Sequence, residues 1–144
     1  MKSFRLNCVV SLLLICGGVA RAELTVKVDA PKQVGQKTVI KLTMKNTFKE
    51  KVESARAQVF LIDDNGKVVG QAVQWVIGGT KEKQVLAPNG EAIFNFVVKS
   101  AKPLTATNLT SKVIFSRVVL ENGKLVDVNK DVQIRASDEN VPAK

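Results

Sequence analysis

The chain has no histidine and no tyrosine, and its two cysteines, Cys8 and Cys16, both lie close to the N-terminus. Histidine is the commonest general base and metal ligand, and the cysteine thiolate is a common nucleophile. We therefore predict no catalytic residue, no metal ligand set and no cofactor. The enzymatic alternative that remains is a site made of a serine and a lysine or of carboxylates, but no Ser-x-x-Lys or Gly-x-Ser-x-Gly spacing marks one.

Long hydrophobic runs are equally scarce. The longest apolar stretch lies between Arg5 and Arg21, and it is shorter than the ~20 residues that a transmembrane helix needs. Lys2 and Arg5 precede it, and Ala20-Arg21-Ala22 ends it, which is the pattern of a secretory signal peptide with its cleavage site. We predict that residues 1–22 are a leader, that the mature chain begins at Glu23, and that the protein is periplasmic or secreted.

Cleavage of this leader would change the composition of the protein. Both cysteines would leave, so no disulfide could form in the mature chain. The 22 basic residues would fall to 19 while the 13 acidic residues stayed, which lowers the formal net charge from +9 to +6. The 122 remaining residues suffice for one domain. The positive charge favours anionic partners, although the few arginines and the lack of aromatic residues among the lysines argue against nucleic acid.

Apolar and polar residues alternate along the mature chain, and no segment carries apolar residues at helical spacing over three turns. Asp64-Asn65-Gly66-Lys67 and Glu121-Asn122-Gly123-Lys124 carry the Asn-Gly pair typical of type I′ hairpin turns, which join antiparallel neighbours. We predict an all-β fold over residues 23–136, an immunoglobulin-like antiparallel β-sandwich of about seven strands, with a small barrel as the alternative and residues 137–144 as a flexible tail. The alternation predicts strands at residues 24–28, 40–44, 57–61, 67–77, 92–98, 111–120 and 125–134.

Two segments resemble the FxLYD-type domain, an immunoglobulin-like module of exported prokaryotic proteins. Val59-Phe60-Leu61-Ile62-Asp63 and the following Asp64-Asn65-Gly66-Lys67-Val68 are similar to the strand that names the family and to its acidic, glycine-containing turn. Leu86-Ala87-Pro88-Asn89-Gly90 and Phe94-Asn95-Phe96 are similar to its proline-glycine turn and aromatic strand. The resemblance covers about residues 38–98. It implies an immunoglobulin-like fold and an extracytoplasmic adaptor role, with no active site.

Lysines form the first candidate binding surface. In an immunoglobulin-like arrangement the first, second and fifth strands share a sheet, which places Lys27, Lys41, Lys45 and Lys99 on its outward face. This is a candidate anion-binding face. The alternative, which we favour from the sequence alone, is that these lysines only solvate the sheet and protect its edges.

The single tryptophan, Trp75, is the other candidate site residue. An exposed indole can stack on a sugar ring, with Val73 and Ile77 beside it on the same side of the strand. A lone tryptophan among aliphatic residues more commonly packs in the core, and we favour that interpretation.

Together these observations predict an exported, non-enzymatic binding or accessory module of the cell envelope, whose partner is an envelope protein or an anionic polymer. The alternative is a structural or chaperone-like subunit of an envelope assembly that pairs through an exposed strand edge.

Overall fold

The computed structural model describes residues 21, 23–81, 84–100, 104 and 108–137, within which there are eight strands and one short α-helix. The predicted leader, apart from Arg21, and residues 138–144 of the predicted tail lie outside the described residues. The strands are β1 (Leu24–Val28), β2 (Lys32–Val34), β3 (Lys37–Asn46), β4 (Val52–Ile62), β5 (Val68–Ile77), β6 (Glu91–Lys99), β7 (Thr110–Leu120) and β8 (Val132–Ala136). A 3-10 turn (Glu121–Gly123) and helix α1 (Val128–Asp131) lie between β7 and β8.

The strands form two sheets, and the predicted β-sandwich is confirmed. The first sheet has the order β8-β1-β3-β6, with β2 added beside β1 on the same flank of β3, and the second has the order β5-β4-β7. The predicted first, second and fifth strands correspond to β1, β3 and β6 and share the first sheet, and the predicted third and sixth strands correspond to β4 and β7 and share the second, as in an immunoglobulin sandwich. The two-residue alternation of the sequence buries one side of each sheet against the other.

The core consists of the inward side chains of both sheets. Ile40, Leu42 and Met44 of β3 are fully buried and alternate with exposed or half-buried residues. Phe96 is also fully buried, and the ring of half-buried Phe94 meets it edge to face with centroids 5.2 Å apart. Each fully buried aliphatic or phenyl side chain stabilises the fold by about 1.5–3 kcal/mol relative to its exposed state.

The predicted turn after β7 is present, but the predicted strand beside β7 does not continue. Asn122 and Gly123 have positive φ values of 67° and 78°, and the chain reverses through a 3-10 turn into a single antiparallel bridge between Val119 and Leu125. Helix α1 then carries the chain to the first sheet, and the Asp127 side chain accepts a hydrogen bond from the Asn129 amide at its N-cap. There β8 runs parallel to β1, so the sandwich contains one parallel pair and eight strands instead of about seven.

The hairpin between β4 and β5 is confirmed, although its turn is not type I′. Gly66 has a φ of 76° whereas Asn65 does not have a positive φ. The Gly66 amide donates to the Asp63 carbonyl at 3.0 Å, and the Asp63 carboxylate accepts from the Asn65 and Lys67 amides, both at 2.9 Å. This is a three-residue loop in which a left-handed glycine follows a type I turn.

One polar side chain, that of Asn46, lies fully buried at the end of β3. Its amide group donates to the carbonyl oxygens of Glu50, Leu86 and Ala87 at 2.9, 3.1 and 3.3 Å, and its oxygen accepts from the Phe48 amide at 2.9 Å. Asn46 therefore holds the turn that precedes β6 against the end of β3, two residues beyond the end of the predicted strand at residues 40–44.

Candidate binding faces

The outward side of the first sheet carries the four lysines predicted as an anion-binding face. We call this surface the lysine face and define it as the outward side chains of β1, β3, β6 and β8. Lys27, Lys41, Lys45 and Lys99 are all exposed on it, because their inward neighbours along the strands are the buried or half-buried core residues. The placement of these lysines is as predicted, and their binding role remains a prediction.

Three of the four lysines lie together. Lys27 is paired with Thr43 across the β1–β3 ladder, so Lys41 and Lys45 are its two diagonal neighbours on β3. Diagonal positions of this kind are ~7–8 Å apart, within the reach of long side chains. Lys27, Lys41 and Lys45 can therefore contact one extended anionic ligand.

Lys99 does not join that group. It lies four residues along β6 from Asn95, which is the residue paired with Lys41, and this separation amounts to about 13 Å. Its direct partner across the β3–β6 ladder is Lys37, a residue that the sequence analysis missed. Lys37 continues the two-residue period of Lys41 and Lys45, but the predicted strand starts at residue 40, whereas β3 starts at Lys37.

A second basic neighbour was also missed. Arg135 of β8 is paired with Lys27 in the parallel ladder, and it is exposed. The sequence pattern predicts β7 as the neighbour of the last strand, and so it does not place Arg135 beside Lys27. The lysine face therefore contains two pairs of directly adjacent like charges, Lys27 with Arg135 and Lys37 with Lys99, and each such pair destabilises a sheet by about 0.2–1 kcal/mol.

Two acidic residues balance the middle of the face. Lys41 Nζ lies 3.5 Å from Asp29 Oδ2, and the carboxylate of Asp29 is mostly buried. Lys45 is paired with Glu91 across the β3–β6 ladder. Within the part of the chain that the structure describes, no acidic residue forms an ion pair with either like-charge pair.

The outward side of the second sheet is different in character. Arg56, Gln58, Phe60 and Ile62 of β4 alternate with buried alanine, valine and leucine residues and point away from the core. We call the outward side chains of β4, β5 and β7 the arginine–tryptophan face.

Trp75 lies on this face, so the interpretation of it as a core residue is wrong. It is half-buried and is paired with Arg56, whose guanidinium carbon lies 5.8 Å from the centroid of the indole ring. A β-bulge explains the error: Ala55 pairs with Ile77 and Arg56 with Trp75, so the register skips Val76. Ile77 is consequently buried and does not share the side of Trp75, as the sequence pattern had suggested.

The indole is held in place by its surroundings. Gly79 has a φ of 76° and packs so closely on the ring that a Cβ atom there would overlap the indole. Together with the guanidinium of Arg56, this contact leaves less of the ring free for a sugar, and the stacking role of Trp75 remains a prediction.

Arg117 and two aliphatic side chains complete the centre of the arginine–tryptophan face. Arg117 is paired with Arg56 across the β4–β7 ladder. In the next row Val73 and Ile114 flank Gln58, and their side chains are 45% and 41% exposed. Among the described residues, no carboxylate lies within ion-pair distance of either arginine.

The edges of β7 and β8 bound a third feature, a cleft of about 250 Å³ at one end of the sandwich. Its walls include Val28, Leu109, Val113 and Ile134. Strand β8 pairs with β1 and not with β7. The outer edge of the described part of β7 therefore makes backbone hydrogen bonds only near its end, where Val118 and Leu120 bond to the segment after the 3-10 turn.

The described part of the chain contains no group of three or more Asp, Glu, His or Cys residues that could hold a metal ion. None of the helices described is long and apolar enough to cross a membrane.

Comparisons with known proteins identify no family. No protein-family model matches the chain, and no curated protein matches it significantly. Solved structures resemble its fold: a structural-genomics target designated SoR45 has a TM-score of 0.51 at 14% identity, over 86% of this chain and 91% of that one. The putative ApaA protein from Bordetella pertussis has a TM-score of 0.51 at 21% identity, over 73% of this chain and 85% of that one. At these identities the similarity shows the β-sandwich fold alone.

Proposed function

We propose that this protein is an exported, non-enzymatic binding module of the cell envelope that holds an anionic polymer on its lysine face. The observation that carries the proposal is the arrangement of adjacent like charges, Lys27 with Arg135 and Lys37 with Lys99. Lysines that only solvate a sheet do not need to face each other directly. An anion placed between the members of each pair would turn a repulsion into two attractions, and this gain is available only in the bound state.

The shape of the face fits a polymer better than a small anion. The two like-charge pairs lie on different strands and towards opposite ends of the sheet, and Arg135 also lines the open cleft beside β8. Each pair alone is exposed to solvent, where a single ionic contact contributes ~0–1 kcal/mol. A chain of regularly spaced carboxylates or phosphates can contact both pairs at once, which raises its apparent affinity without any new type of contact.

The decisive experiment compares two variants with the same net charge. The face variant replaces the two like-charge pairs with glutamine, as K27Q/K37Q/K99Q/R135Q. The control variant removes the same four charges elsewhere, from the exposed residues Lys49, Lys67, Lys124 and Lys130. Binding to alginate, a polyuronate, and to vesicles of anionic phosphatidylglycerol is measured at about 0.01 M and about 0.15 M salt.

We expect the face variant to bind alginate at least about tenfold more weakly at the lower salt concentration, and the control variant to change by less than about twofold. Binding of the unaltered protein should weaken at the higher salt concentration because exposed charges are screened. Equal losses in both variants would show that net charge alone attracts the polymer, and would refute the proposal. Stronger binding to the vesicles than to alginate would identify a lipid surface as the ligand instead.

Export is part of the proposal and has its own measurement. The backbone of Glu23 is fixed to the fold: its amide donates to the Thr47 hydroxyl at 2.9 Å, and its carbonyl accepts from the same hydroxyl and from the Thr47 amide. Cleavage before Glu23 would leave these bonds in place. The intact mass of the protein isolated from its own organism should correspond to a chain that starts at Glu23, and a chain that still carries residues 1–22 would contradict export by this leader.

The free edge of β7 supports the second candidate, a subunit that pairs with a neighbour by strand addition. The described residues before Val118 leave this edge without a strand partner, beside the cleft between β7 and β8. An unpaired edge is a template for a strand from another chain. Sedimentation analysis over a wide concentration range distinguishes the two: a monomer throughout would argue against self-assembly.

A further inference from the structure

We propose that the arginine–tryptophan face is a second binding site, which docks an acidic, partly apolar surface of another protein. This site lies on the opposite side of the sandwich from the lysine face and does not depend on it. Four properties of the face support such a site: its residue types, its charge, its exposed aliphatic side chains and the fixed position of its indole.

The residue types separate the two faces. The lysine face presents five lysines together with threonine and asparagine, and its most exposed aliphatic residue, Ile93, has no tryptophan or arginine pair beside it. The other face presents Trp75, Phe60, Arg56 and Arg117, and tryptophan and arginine are the residues most enriched where protein interfaces concentrate their binding energy. Lysine, aspartate and glutamate are depleted in such interfaces. Among the outward residues of β4 from Arg56 to Ile62 and their cross-strand partners on β5 and β7, Lys112 is the one charged residue besides the two arginines.

The charge of the face defines the partner. Arg56 and Arg117 are directly opposite each other, so their side chains leave Cβ positions ~4.5–5.5 Å apart. From these positions the two long side chains can reach one carboxylate, with the Arg56 guanidinium over the indole and Arg117 on the other side of β4, and bind it with charge-assisted hydrogen bonds. Glu53 lies beyond the bulge on β4 and forms no ion pair with either arginine. No carboxylate of the described residues neutralises the arginine pair, so a carboxylate of a partner would complement it.

The aliphatic side chains favour a protein over a glycan or a membrane. Val73 and Ile114 are 45% and 41% exposed beside the arginine pair, and they offer no hydrogen bond to a sugar hydroxyl. The arginine side chains are longer than valine and extend further from the sheet. A lipid bilayer would therefore meet the charged guanidinium groups before the aliphatic groups, which disfavours insertion of this face into a membrane. A face-to-face second copy would place arginine against arginine. An apolar side chain flanked by a carboxylate, on a folded partner, complements both features.

The indole provides a preformed anchor. Gly79 packs against the Trp75 ring on one part of its surface, and the guanidinium of Arg56 lies over the ring. Both side chains therefore lose less conformational freedom on binding than free surface side chains would, which lowers the entropic cost of association.

Site-specific photocrosslinking in the organism that makes the protein tests this proposal. The photoreactive residue p-benzoylphenylalanine replaces Val73 on the arginine–tryptophan face, and in a matched control it replaces Ile93, which is 61% exposed on the lysine face. Any protein adduct is identified by mass spectrometry and its contact peptide is sequenced. The same crosslink is then repeated with Arg117→Glu and with the charge-conserving Arg117→Lys, after circular dichroism has confirmed that both variants are folded.

We expect one dominant protein adduct from position 73 that position 93 does not give, with an aspartate or glutamate in or next to the contact peptide. Arg117→Glu should weaken binding of that purified partner at least about tenfold, Arg117→Lys by less, and replacing the partner's carboxylate with lysine should restore binding to Arg117→Glu. No adduct above the control would overturn the proposal. So would an adduct to lipid, glycan or a second copy, or a partner whose affinity does not respond to Arg117→Glu.

Discussion

Replacing Asn46 with aspartate changes one buried atom and should destabilise the fold severely. The substitution keeps the side-chain oxygen that accepts from the Phe48 amide, but it exchanges the amide nitrogen for a carboxylate oxygen. That nitrogen donates to three backbone carbonyl oxygens, of Glu50, Leu86 and Ala87, at 2.9, 3.1 and 3.3 Å. In the variant, oxygen would face oxygen at a position with no exposure to solvent.

The expected loss follows from the bonds. Among the described residues only the Glu50 carbonyl would be left without a donor, at a cost of ~1–3 kcal/mol, because the Leu86 and Ala87 carbonyls still accept from the amides of Val52 and Gly90. The loss of the two other bonds and the burial of a charge against three carbonyl groups add to this cost. We take about 4 kcal/mol as the central expectation, which is a large part of the ~5–15 kcal/mol by which domains are usually stable.

Urea unfolding measures this loss directly. Trp75 is the only tryptophan and the chain has no tyrosine, so the fluorescence reports one site, and far-UV circular dichroism reports the sheets. With a denaturant slope of about 2 kcal/mol per molar urea, a loss of 4 kcal/mol lowers the midpoint by about 2 M. The matched control is Asn95→Asp, the same exchange at an exposed position of β6, which should change stability by no more than about 0.5 kcal/mol. Equal midpoints for the two variants would refute the role assigned to Asn46.

Two further substitutions test the binding faces. Gly79→Ala should lower the free energy of unfolding by more than the ~1–2 kcal/mol that a left-handed alanine costs, and should shift the fluorescence emission maximum of Trp75, because the added methyl group displaces the indole. The control is Gly35→Ala, at a φ of 61° with open space around it. It should lower the free energy of unfolding only by the cost of the left-handed backbone and leave the emission unchanged. Equal effects in urea unfolding and fluorescence would contradict the contact. Lys99→Glu should raise the free energy of unfolding by about 0.2–1 kcal/mol, because it turns the repulsion from Lys37 into an attraction, while it weakens binding to alginate; a loss of stability would contradict the like-charge pairing.

The strand pattern predicted most of the fold because burial on a sheet follows a two-residue period. Six predicted strands coincide with β1 and with β3 to β7, since each carries several alternating core residues. Strand β2 was missed because its three residues are all exposed and contain no alternation. The last strand was misplaced because the Asn122-Gly123 pair specifies a tight turn but not the partner of the chain that follows it.

The candidate sites were less predictable because they depend on register. Alternation placed Lys27 and Lys99 on an outward side, but only the ladders show that each has another basic residue beside it. For Trp75 a single bulge decided whether the indole pointed inward or outward, and no residue in the segment marks a bulge. The burial of Asn46 depends on contacts 40 residues away with the turn before β6, which local pattern does not contain.

The two faces suggest different duties for one scaffold. Packed sheets lie ~10 Å apart, and the lysine face and the arginine–tryptophan face point away from each other across that distance. Ligands on the two faces would therefore not compete for space, and substitutions on opposite faces should affect binding independently. Lysine holds its charge on a flexible, well-hydrated stem, which suits a polymer that slides and exchanges, whereas arginine forms planar, directional contacts that fix a folded partner. Under the two proposals, the sandwich would link a mobile anionic polymer to one specific protein, which is a role that requires binding on both sides and no catalytic group on either.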